Sequence, residues 1–525
     1  MELEMIFAIA MFLTAIIGLL GGYSVALTLG GVALIYGLIG IGFGIFPEPL
    51  LRTLPSRIEG GSIMQNSTLV AIPLFILMGV ILERSKVAED LLHIASRLLG
   101  KVRGGLGYAV VLVGALLAAS TGIVGATVIT MTLIALPSML RQGYDPKLAT
   151  GTIAASGTLG QIIPPSIVLI LLADAVSNAA SQAANQMGNA SFVVSVGDLF
   201  AGALIPGILL VGLYLLWIAF NAFTRPERCP PIQDDGSEPV QLKEIIFGLG
   251  APIFLIIAVL GTILAGIAPP TQAASIGVAG AILLAGLRLA SDKDQNLSRL
   301  IMAALASVIL IIFLSNNLDM RAAADNHSTI DLIGMTLTAV AALIFFAGLI
   351  AGMLVLHRSA QLSPALKSGV NITSMVFLIL IGASLFSLVF RGFGGDDMIA
   401  DLLAAIPGGK WGALIAAMLV MFVLGFFLDF IEIVFVVVPL VAPPLIMMGF
   451  DPVWLAILMA LNLQTSFLTP PFGFALFYLR GAAPDGVETM DIWRGAIPFI
   501  GLQVIMIAMV AAMPALATWL PSLVR

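Results

Sequence analysis

Charged residues are scarce in this sequence. Lys, Arg, Asp and Glu make up 10% of its 525 residues, whereas 60% are hydrophobic and the mean hydropathy is +1.11. A water-soluble surface needs far more charge, so a soluble protein is excluded and a polytopic membrane protein in a lipid bilayer is predicted. The net charge of −6 and the lack of a basic stripe with interleaved aromatics also exclude a nucleic-acid-binding protein.

Cysteine and histidine are almost absent. Cys229 is the single cysteine and cannot form an internal disulfide. The histidines, His93, His327 and His357, are too scattered to complete a zinc site around it. We therefore expect no transition-metal site and no organic cofactor.

Apolar runs of membrane-spanning length follow one another along the chain. The first begins at the N-terminus, where two acids and no basic segment are typical of a first span and not of a cleavable signal. Two further regions, 106–173 and 411–480, are too long for one crossing. The runs fall near residues 5–22, 25–46, 69–82, 198–221, 245–266, 272–289, 300–318, 332–356, 370–390 and 496–517.

Two proline pairs interrupt otherwise apolar segments. Gly157–Pro165 reads GTLGQIIPP, and Gln464–Pro471 reads QTSFLTPP. Adjacent prolines remove two backbone donors and cannot continue a helix, so discontinuous helices are predicted over about 146–173 and 453–480. Broken backbone inside a bilayer is tolerated only where it lines a cavity or binds something.

The two breaks belong to a repeat. Gly143–Pro146 (GYDP) and Gly449–Pro452 (GFDP) lie 306 residues apart, and the proline pairs share this offset without a gap. The only long polar, proline-rich stretch lies between the copies and divides the chain into halves.

The predicted division is a first repeat over 1–221, a linker over 222–244 and a second repeat over 245–525. A helix pair at about 300–356 is an insertion in the second repeat. Because the pair has an even number of spans, it leaves the orientation of the following helices unchanged.

Loop charge indicates that the two copies are inverted. Residues 83–103 carry five basic and three acidic residues and are predicted to be cytoplasmic, as are the basic residues of the linker. The equivalent residues 391–410 carry two basic and three acidic residues, and 174–198 carry no Lys or Arg, so both are predicted to face the exterior. Opposite charge at equivalent positions predicts an inverted-topology repeat.

Each copy is also predicted to contain a re-entrant hairpin. The loop charges require the segment 106–140 to start and end in the cytoplasm, which leaves about fifteen residues for each limb. A helix of that length reaches ~22 Å, too short to cross a hydrocarbon core of ~30 Å. Its tip is expected near Ser120–Gly122. The hairpin of the second copy is expected over 411–447, with its tip near Gly425–Asp429.

A hairpin tip beside a helix break brings free carbonyls, hydroxyls and helix ends together near the midplane, where they suit a carboxylate and Na⁺. For any single hydroxyl, the alternative is a hydrogen bond to its own helix. The Na⁺-site candidates are Ser120, Thr121, Gly122, Ser156, Gly157, Thr158, Gly160, Asp429, Asn462, Gln464, Thr465, Ser466 and Thr469.

Two acids stand out in the second hairpin. Asp429 and Glu432 lie on one helix face and are the only charged residues between Trp411 and Phe450. Intramembrane acids are costly and usually functional. Asp429 is predicted in ion coordination or tip architecture, and Glu432 either in coupling, gating or substrate choice or in a buried hydrogen bond. Further substrate or gating candidates are Pro164, Pro165, Pro470 and Pro471.

Three sequence runs carry a resemblance to a known family. GYDPKLATGTIAASGTLGQIIPPSI, the later FLDF, GFDP and NLQTSFLTPP segments, and GIAPPTQAASIG at 266–277 resemble the large permease subunit of tripartite ATP-independent periplasmic (TRAP) transporters, in the ion transporter superfamily. The resemblance implies an all-α elevator-type transporter of the bacterial inner membrane, with scaffold and transport domains. It also implies Na⁺ coupling, a small membrane subunit and a periplasmic substrate-binding protein that delivers an organic acid.

The chain departs from the family pattern in the inserted helix pair, in Gln272 where the motif often has Glu, and in Glu432 where a small residue is common. The long form and the DFIEI segment favour a 2-oxo or hydroxy monocarboxylate over a dicarboxylate. One alternative is a stand-alone Na⁺- or H⁺-coupled carboxylate symporter of the same superfamily. A remote one is an intramembrane enzyme, for which no HExxH or paired aspartate motif is present.

Overall fold

The computed structural model describes residues 2–60, 63–122, 124–188, 193–232, 241, 244–290, 294–318 and 329–524. Within these ranges the chain forms helices and no strand. Ten of the described helices are long and apolar enough to cross a bilayer, or up to twelve spans if each of two bent helix pairs is one. The chain is therefore a polytopic all-α membrane protein, as predicted. Much of the predicted linker, and His327, lie outside the described residues.

The first half contains the first predicted hairpin and discontinuous helix. A 3-10 turn, Leu159–Gln161, follows the ninth helix. The helices are α1 Glu2–Leu20, α2 Val25–Gly42, α3 Glu48–Leu51, α4 Leu54–Glu59, α5 Ala71–Arg84, α6 Val87–Leu99, α7 Gly105–Thr121, α8 Val124–Arg141, α9 Pro146–Thr158, α10 Ile167–Met187 and α11 Val196–Thr224.

The second half repeats this order after a π-helical segment, Ile245–Gly250. The inserted pair, α14 and α15, packs as two antiparallel neighbours against α13. The helices are α12 Ala251–Leu264, α13 Pro270–Leu289, α14 Gln295–Asn317, α15 Thr329–Arg358, α16 Leu362–Gly392, α17 Gly395–Ala405, α18 Gly409–Leu424, α19 Phe430–Val436, α20 Val438–Met447, α21 Pro452–Leu468, α22 Phe474–Ala482, α23 Thr489–Ala512 and α24 Ala515–Val524.

Two of the differences from the predicted boundaries have a clear local cause. The second limb of the first broken helix, predicted to end near 173, continues to Met187, because Ala and Gln favour a helix until Gly188 ends it with a left-handed conformation (φ +69°). The run predicted over 496–517 is interrupted after Ala512, since Pro514 cannot continue the helix and α24 starts afresh behind it.

Equivalent helices of the two halves make reciprocal contacts. Helix α2 packs against α16 of the other half, and its counterpart α13 packs against α5. In the same way α9 packs against α23, while α21 packs against α11. The two halves therefore interlock rather than form separate bodies.

The discontinuous helices occupy the centre of this arrangement. From Leu148 to Thr158 every residue of α9 is buried, and so is every residue of α21. Glycine permits this close packing: a Cβ on Gly151 would lie 3.1 Å from the Cα of Gly495 in α23. The polar residues of both breaks are consequently withdrawn from the outer surface.

Candidate functional site

The first helix break faces the tip of its own hairpin. α9 ends at Thr158, the 3-10 turn follows, and α10 starts at Ile167 after Pro164 and Pro165, both of which are buried. The hairpin turns at Gly122, whose left-handed backbone (φ +61°) places it against the first residue of α10. Tip and break therefore meet, as the sequence predicts.

The second break has the same relation to the second hairpin. α21 ends at Leu468 and α22 starts at Phe474. The hairpin turns between α18 and α19, where a Cβ on Gly425 would lie 2.9 Å from Ser466 Cβ. Pro470 is half-buried and Pro471 is exposed, so this break is more accessible than the first.

Each unit has a close contact between its hairpin and its break, with the glycine on the break in the first unit and on the hairpin in the second. In the first unit Gly160 of the break lies against Ala118 of the hairpin, and a Cβ added to Gly160 would lie 3.4 Å from Ala118 Cβ. In the second unit Gly425 of the hairpin lies against Ser466 of the break. In each unit one partner is a glycine, which lets the backbones approach closely.

Five candidate hydroxyl groups at the breaks donate to carbonyls three or four residues earlier in the chain. Ser156 donates to Thr152 O (2.6 Å) and Thr465 to Leu461 O (2.7 Å). Thr158, Ser466 and Thr469 likewise donate within their helices, to Ala155 O, Leu463 O and Thr465 O. Because a hydroxyl has one donor and two lone pairs, this bond leaves its oxygen able to accept from another donor, as at Thr158, or to bind a cation.

Two candidates at equivalent positions face their own hairpins. Ser156 packs against Gly114 of α7, and Asn462, 306 residues further on, donates its Nδ2 to Met418 O of α18 (2.8 Å). That bond orients the amide and leaves Oδ1 as an acceptor. Gly157 packs against Val128 of the other limb of its hairpin. The side chains of Ser120 and Thr121 lie outside the described part of the chain.

Thr158 and Gln464 instead lie where the two halves meet. They are equivalent residues, 306 apart, and Gln464 Nε2 donates to Thr158 Oγ1 (3.4 Å). Gln503 of α23 donates to the same oxygen (3.3 Å) and to Tyr214 OH of α11 (2.8 Å). All four side chains are buried. They form a polar cluster between the breaks, which we call the central cluster.

Sequence reasoning missed two polar residues of this cluster and one of the first break. Gln503 and Tyr214 lie on spans read only as apolar, although a buried amide in such a span is itself a signal. Gln161 is fully buried in the 3-10 turn, and neither its Nε2 nor its Oε1 has a hydrogen-bond partner in the described structure. These are costly groups to bury unpaired.

Asp429 and Glu432 form a capping box at the start of α19. Asp429 accepts from the backbone N–H of Phe430 (2.7 Å), and Glu432 Oε2 accepts from the backbone N–H of Asp429 (3.1 Å). Each carboxylate thus binds a backbone donor that a helix start leaves free. Glu432 is thus buried and hydrogen-bonded, and its role in coupling, gating or substrate choice stays a prediction.

A cavity of about 380 Å³ lies between the two units. It is lined by Asp429 and Phe430 of the second hairpin tip, Gly125 of the first hairpin, and Tyr478. Glu83, which the sequence places in the basic cytoplasmic segment, also lines it. The cavity therefore carries two acids, one from each half.

Comparison with known proteins fits this architecture. A family model described as "Tripartite ATP-independent periplasmic transporter, DctM component" matches residues 8–516. The chain belongs to this family. It is 29% identical over 458 residues to the C4-dicarboxylate TRAP transporter large permease protein DctM of Vibrio cholerae, covering 87% of this chain and 86% of that protein. It is 25% identical over 460 residues to the sialic acid TRAP transporter large permease protein SiaM of the same species, covering 88% and 87%.

A solved structure shares the fold. The YdaH transporter of Alcanivorax borkumensis, described as having an unusual topology, superposes with a TM-score of 0.54 at 15% identity over 90% of this chain and 91% of that one. The relatives in the TRAP family are named as transporter permease subunits. An intramembrane enzyme is thereby set aside.

Proposed function

We propose that this TRAP-family subunit imports an organic acid across the bacterial inner membrane by coupling it to a Na⁺ gradient. The observation that carries the proposal is the pair of equivalent units, each with a hairpin tip against a helix break. Their neutral oxygens, such as Ser156 Oγ and Asn462 Oδ1, suit Na⁺, which prefers oxygen ligands and needs no thiolate or imidazole. The named substrates of the relatives, a C4-dicarboxylate and sialic acid, support an organic acid as cargo.

Contacts between distant segments support the proposed orientation. Lys147, after the first GYDP motif, pairs with Asp491 at the start of α23 (3.9 Å), and Arg97 pairs with Glu244 beside the linker (3.3 Å). Residues 83–103 and the linker are both expected in the cytoplasm, so the second pair joins two segments on the same side. On the other side, Arg391 donates to Gln182 of α10 (3.0 Å), and both are expected outside.

The proposed motion moves the two units together against a scaffold. The interlocked central helices α9 and α21, with their hairpins, would form the transport body, and α2, α5, α13 and α16 the scaffold. The inserted pair α14–α15, packed outside α13, lies at the scaffold's edge. The proposed partners are a small membrane subunit and a periplasmic substrate-binding protein, as expected for a large permease of this family.

Reconstitution of the complex, with and without each proposed partner, tests the proposal. Proteoliposomes containing this chain, its small membrane subunit and its periplasmic binding protein should accumulate the binding protein's own ligand when Na⁺ is outside. Uptake should stop when choline replaces Na⁺. Leaving out either partner should abolish uptake. Uptake by the chain alone would favour the stand-alone symporter, and unchanged uptake in choline would overturn Na⁺ coupling.

A further inference from the structure

A second cavity, of about 740 Å³, lies on the side of the molecule expected to face outward. It shares no lining residue with the cavity between the hairpin tips. Two polar helix faces enclose it: Asn178, Gln182 and Asn185 on α10, and Ser387 and Arg391 on α16. The spacings of three and four residues put each set on one side of its helix. The cavity thus lies between a limb of the broken helix and a scaffold helix.

Arg391 is held in a fixed orientation at this cavity. Its Nε pairs with Asp396 Oδ2 (2.7 Å) and its Nη2 donates to Gln182 Oε1 (3.0 Å). Gln182 Nε2 donates in turn to the same Asp396 oxygen (3.0 Å). Two of the five N–H groups of the guanidinium are thereby used, and the others remain for a ligand.

A second guanidinium, that of Arg57 on α4, lines the same cavity. Arg57 is partly buried, and no carboxylate of the described chain forms an ion pair with it. Burial and the neighbouring Arg391 charge lower the pKa of Arg57, so the two guanidinium groups are close enough to repel. The hydroxyl of Ser387, one turn from Arg391, is buried without a partner. An anion would satisfy all three groups.

The remaining charge of the cavity is Asp174 of α10. Its oxygens accept from Asn66 Nδ2 (2.6 Å) and Asn178 Nδ2 (3.4 Å), and neither arginine pairs with it. The cavity is therefore bipolar, with guanidinium groups at one place and a carboxylate at another. A second carboxylate on a ligand would be repelled by Asp174, whereas a hydroxyl could donate to it.

We propose that this cavity is an outer reception site for the transported acid, in which Arg57 and Arg391 bind the carboxylate and Asp174 accepts from a hydroxyl of the same molecule. The site adds a first binding step to the proposed function, and the identity of its ligand as the transported acid rests on that proposal. Its arginines come from the scaffold side and its amides from the broken helix. A ligand bound there contacts both bodies before it reaches the hairpin tips.

Binding of a simple carboxylate tests the site without transport. The full chain in phosphatidylcholine nanodiscs, which supply no anionic lipid, is titrated with trifluoroacetate and followed by fluorine NMR line broadening, with trifluoroethanol as the uncharged probe. Saturable broadening is expected for trifluoroacetate alone. Arg57→Gln should raise its half-saturation about tenfold, since charge-assisted hydrogen bonds are lost. The matched control is Arg52→Gln, an exposed neighbour that pairs with Glu48 outside the cavity, and it should bind normally.

Arg391→Gln should have the same effect as Arg57→Gln, but it also breaks the contacts to Asp396 and Gln182. If the Arg391→Gln variant unfolds, Arg57→Gln remains the test, because it removes no hydrogen bond or ion pair of the described chain. Equal binding by the native chain, Arg57→Gln and Arg52→Gln, or no saturable binding by the native chain, would overturn the site.

Lactate should displace the probe at about tenfold lower concentration than succinate, and equal displacement would refute the role of Asp174. Loss of the site with Na⁺-driven uptake intact would refute only this inference, whereas binding without uptake would refute only the proposed function.

Discussion

Gly425→Ala perturbs the contact between hairpin tip and helix break most directly. The added methyl group would lie 2.9 Å from Ser466 Cβ, closer still to its Oγ, and 3.3 Å from Met421 O. Real Cβ atoms do not approach so closely, and Ser466 cannot simply rotate away because its hydroxyl donates to Leu463 O (2.8 Å). The tip and the break must therefore separate.

Overpacking of this kind costs about 1–3 kcal/mol, which is about a five- to 150-fold shift of the equilibrium between packed and separated tips. The assay is thermal unfolding of the purified full chain in detergent together with Na⁺-driven uptake by the reconstituted complex. Gly425→Ala should lower both the unfolding temperature and the uptake rate.

The first unit supplies the matched rescue. There the hairpin residue is Ala118 and the break residue is Gly160, so Gly425→Ala combined with Ser466→Gly recreates that pairing in the second unit. The double variant should recover most of the unfolding temperature lost by Gly425→Ala. A single variant as stable as the native chain, or a double variant no better than the single, would refute the proposed contact.

Three further predictions concern other parts of the molecule. Tyr214→Phe removes the oxygen that accepts from Gln503 Nε2 and should destabilise the chain by about 1–3 kcal/mol in thermal unfolding. The control, Tyr36→Phe, removes a partly buried hydroxyl and should destabilise the chain less. Equal losses of stability would contradict a special role of the central cluster. Glu432→Gln keeps the capping acceptor and should retain uptake, whereas Glu432→Ala should lose stability; loss of uptake with Glu432→Gln would show that the charge itself is needed. Burial and the Glu227 carboxylate raise the pKa of the Cys229 thiol, so less thiolate is present at neutral pH and maleimide should label the native chain far more slowly than the unfolded chain; equal rates would place the thiol at the surface.

Local chemistry explains why the breaks and hairpins could be predicted from the sequence. The pairs Pro164–Pro165 and Pro470–Pro471 each interrupt a helix, although another pair, Pro443–Pro444, lies inside α20. Gly122 turns its hairpin with a left-handed backbone, and Gly425 permits close packing against Ser466. The common offset of 306 residues then related one unit to the other. Such features depend on a few neighbouring residues and need no knowledge of packing.

The central cluster could not be predicted in this way. Tyr214, Gln464 and Gln503 lie on three different helices, and only the interlocking of the halves brings them together. Loop charge places Glu83 in a cytoplasmic segment. In the structure Glu83 lies in the last turn of the short helix α5, and its side chain lines the cavity between the tips. The missed extension of α10 has a local cause, since its Asn- and Ser-rich sequence imitates a loop while its alanines favour a helix.

The most direct test of the account is the Na⁺ dependence of uptake in variants of the two equivalent oxygen ligands. Ser156→Ala and Asn462→Ala remove one proposed ligand from each unit. The matched controls are Ser275→Ala and Asn317→Ala, whose exposed side chains donate to carbonyls of their own helices away from the two breaks. In the reconstituted complex, the Na⁺ concentration for half-maximal uptake should rise about tenfold for the first two variants and stay unchanged for the controls. Unchanged Na⁺ activation in folded Ser156→Ala and Asn462→Ala chains would contradict the assignment of the two break-and-hairpin units as ion sites.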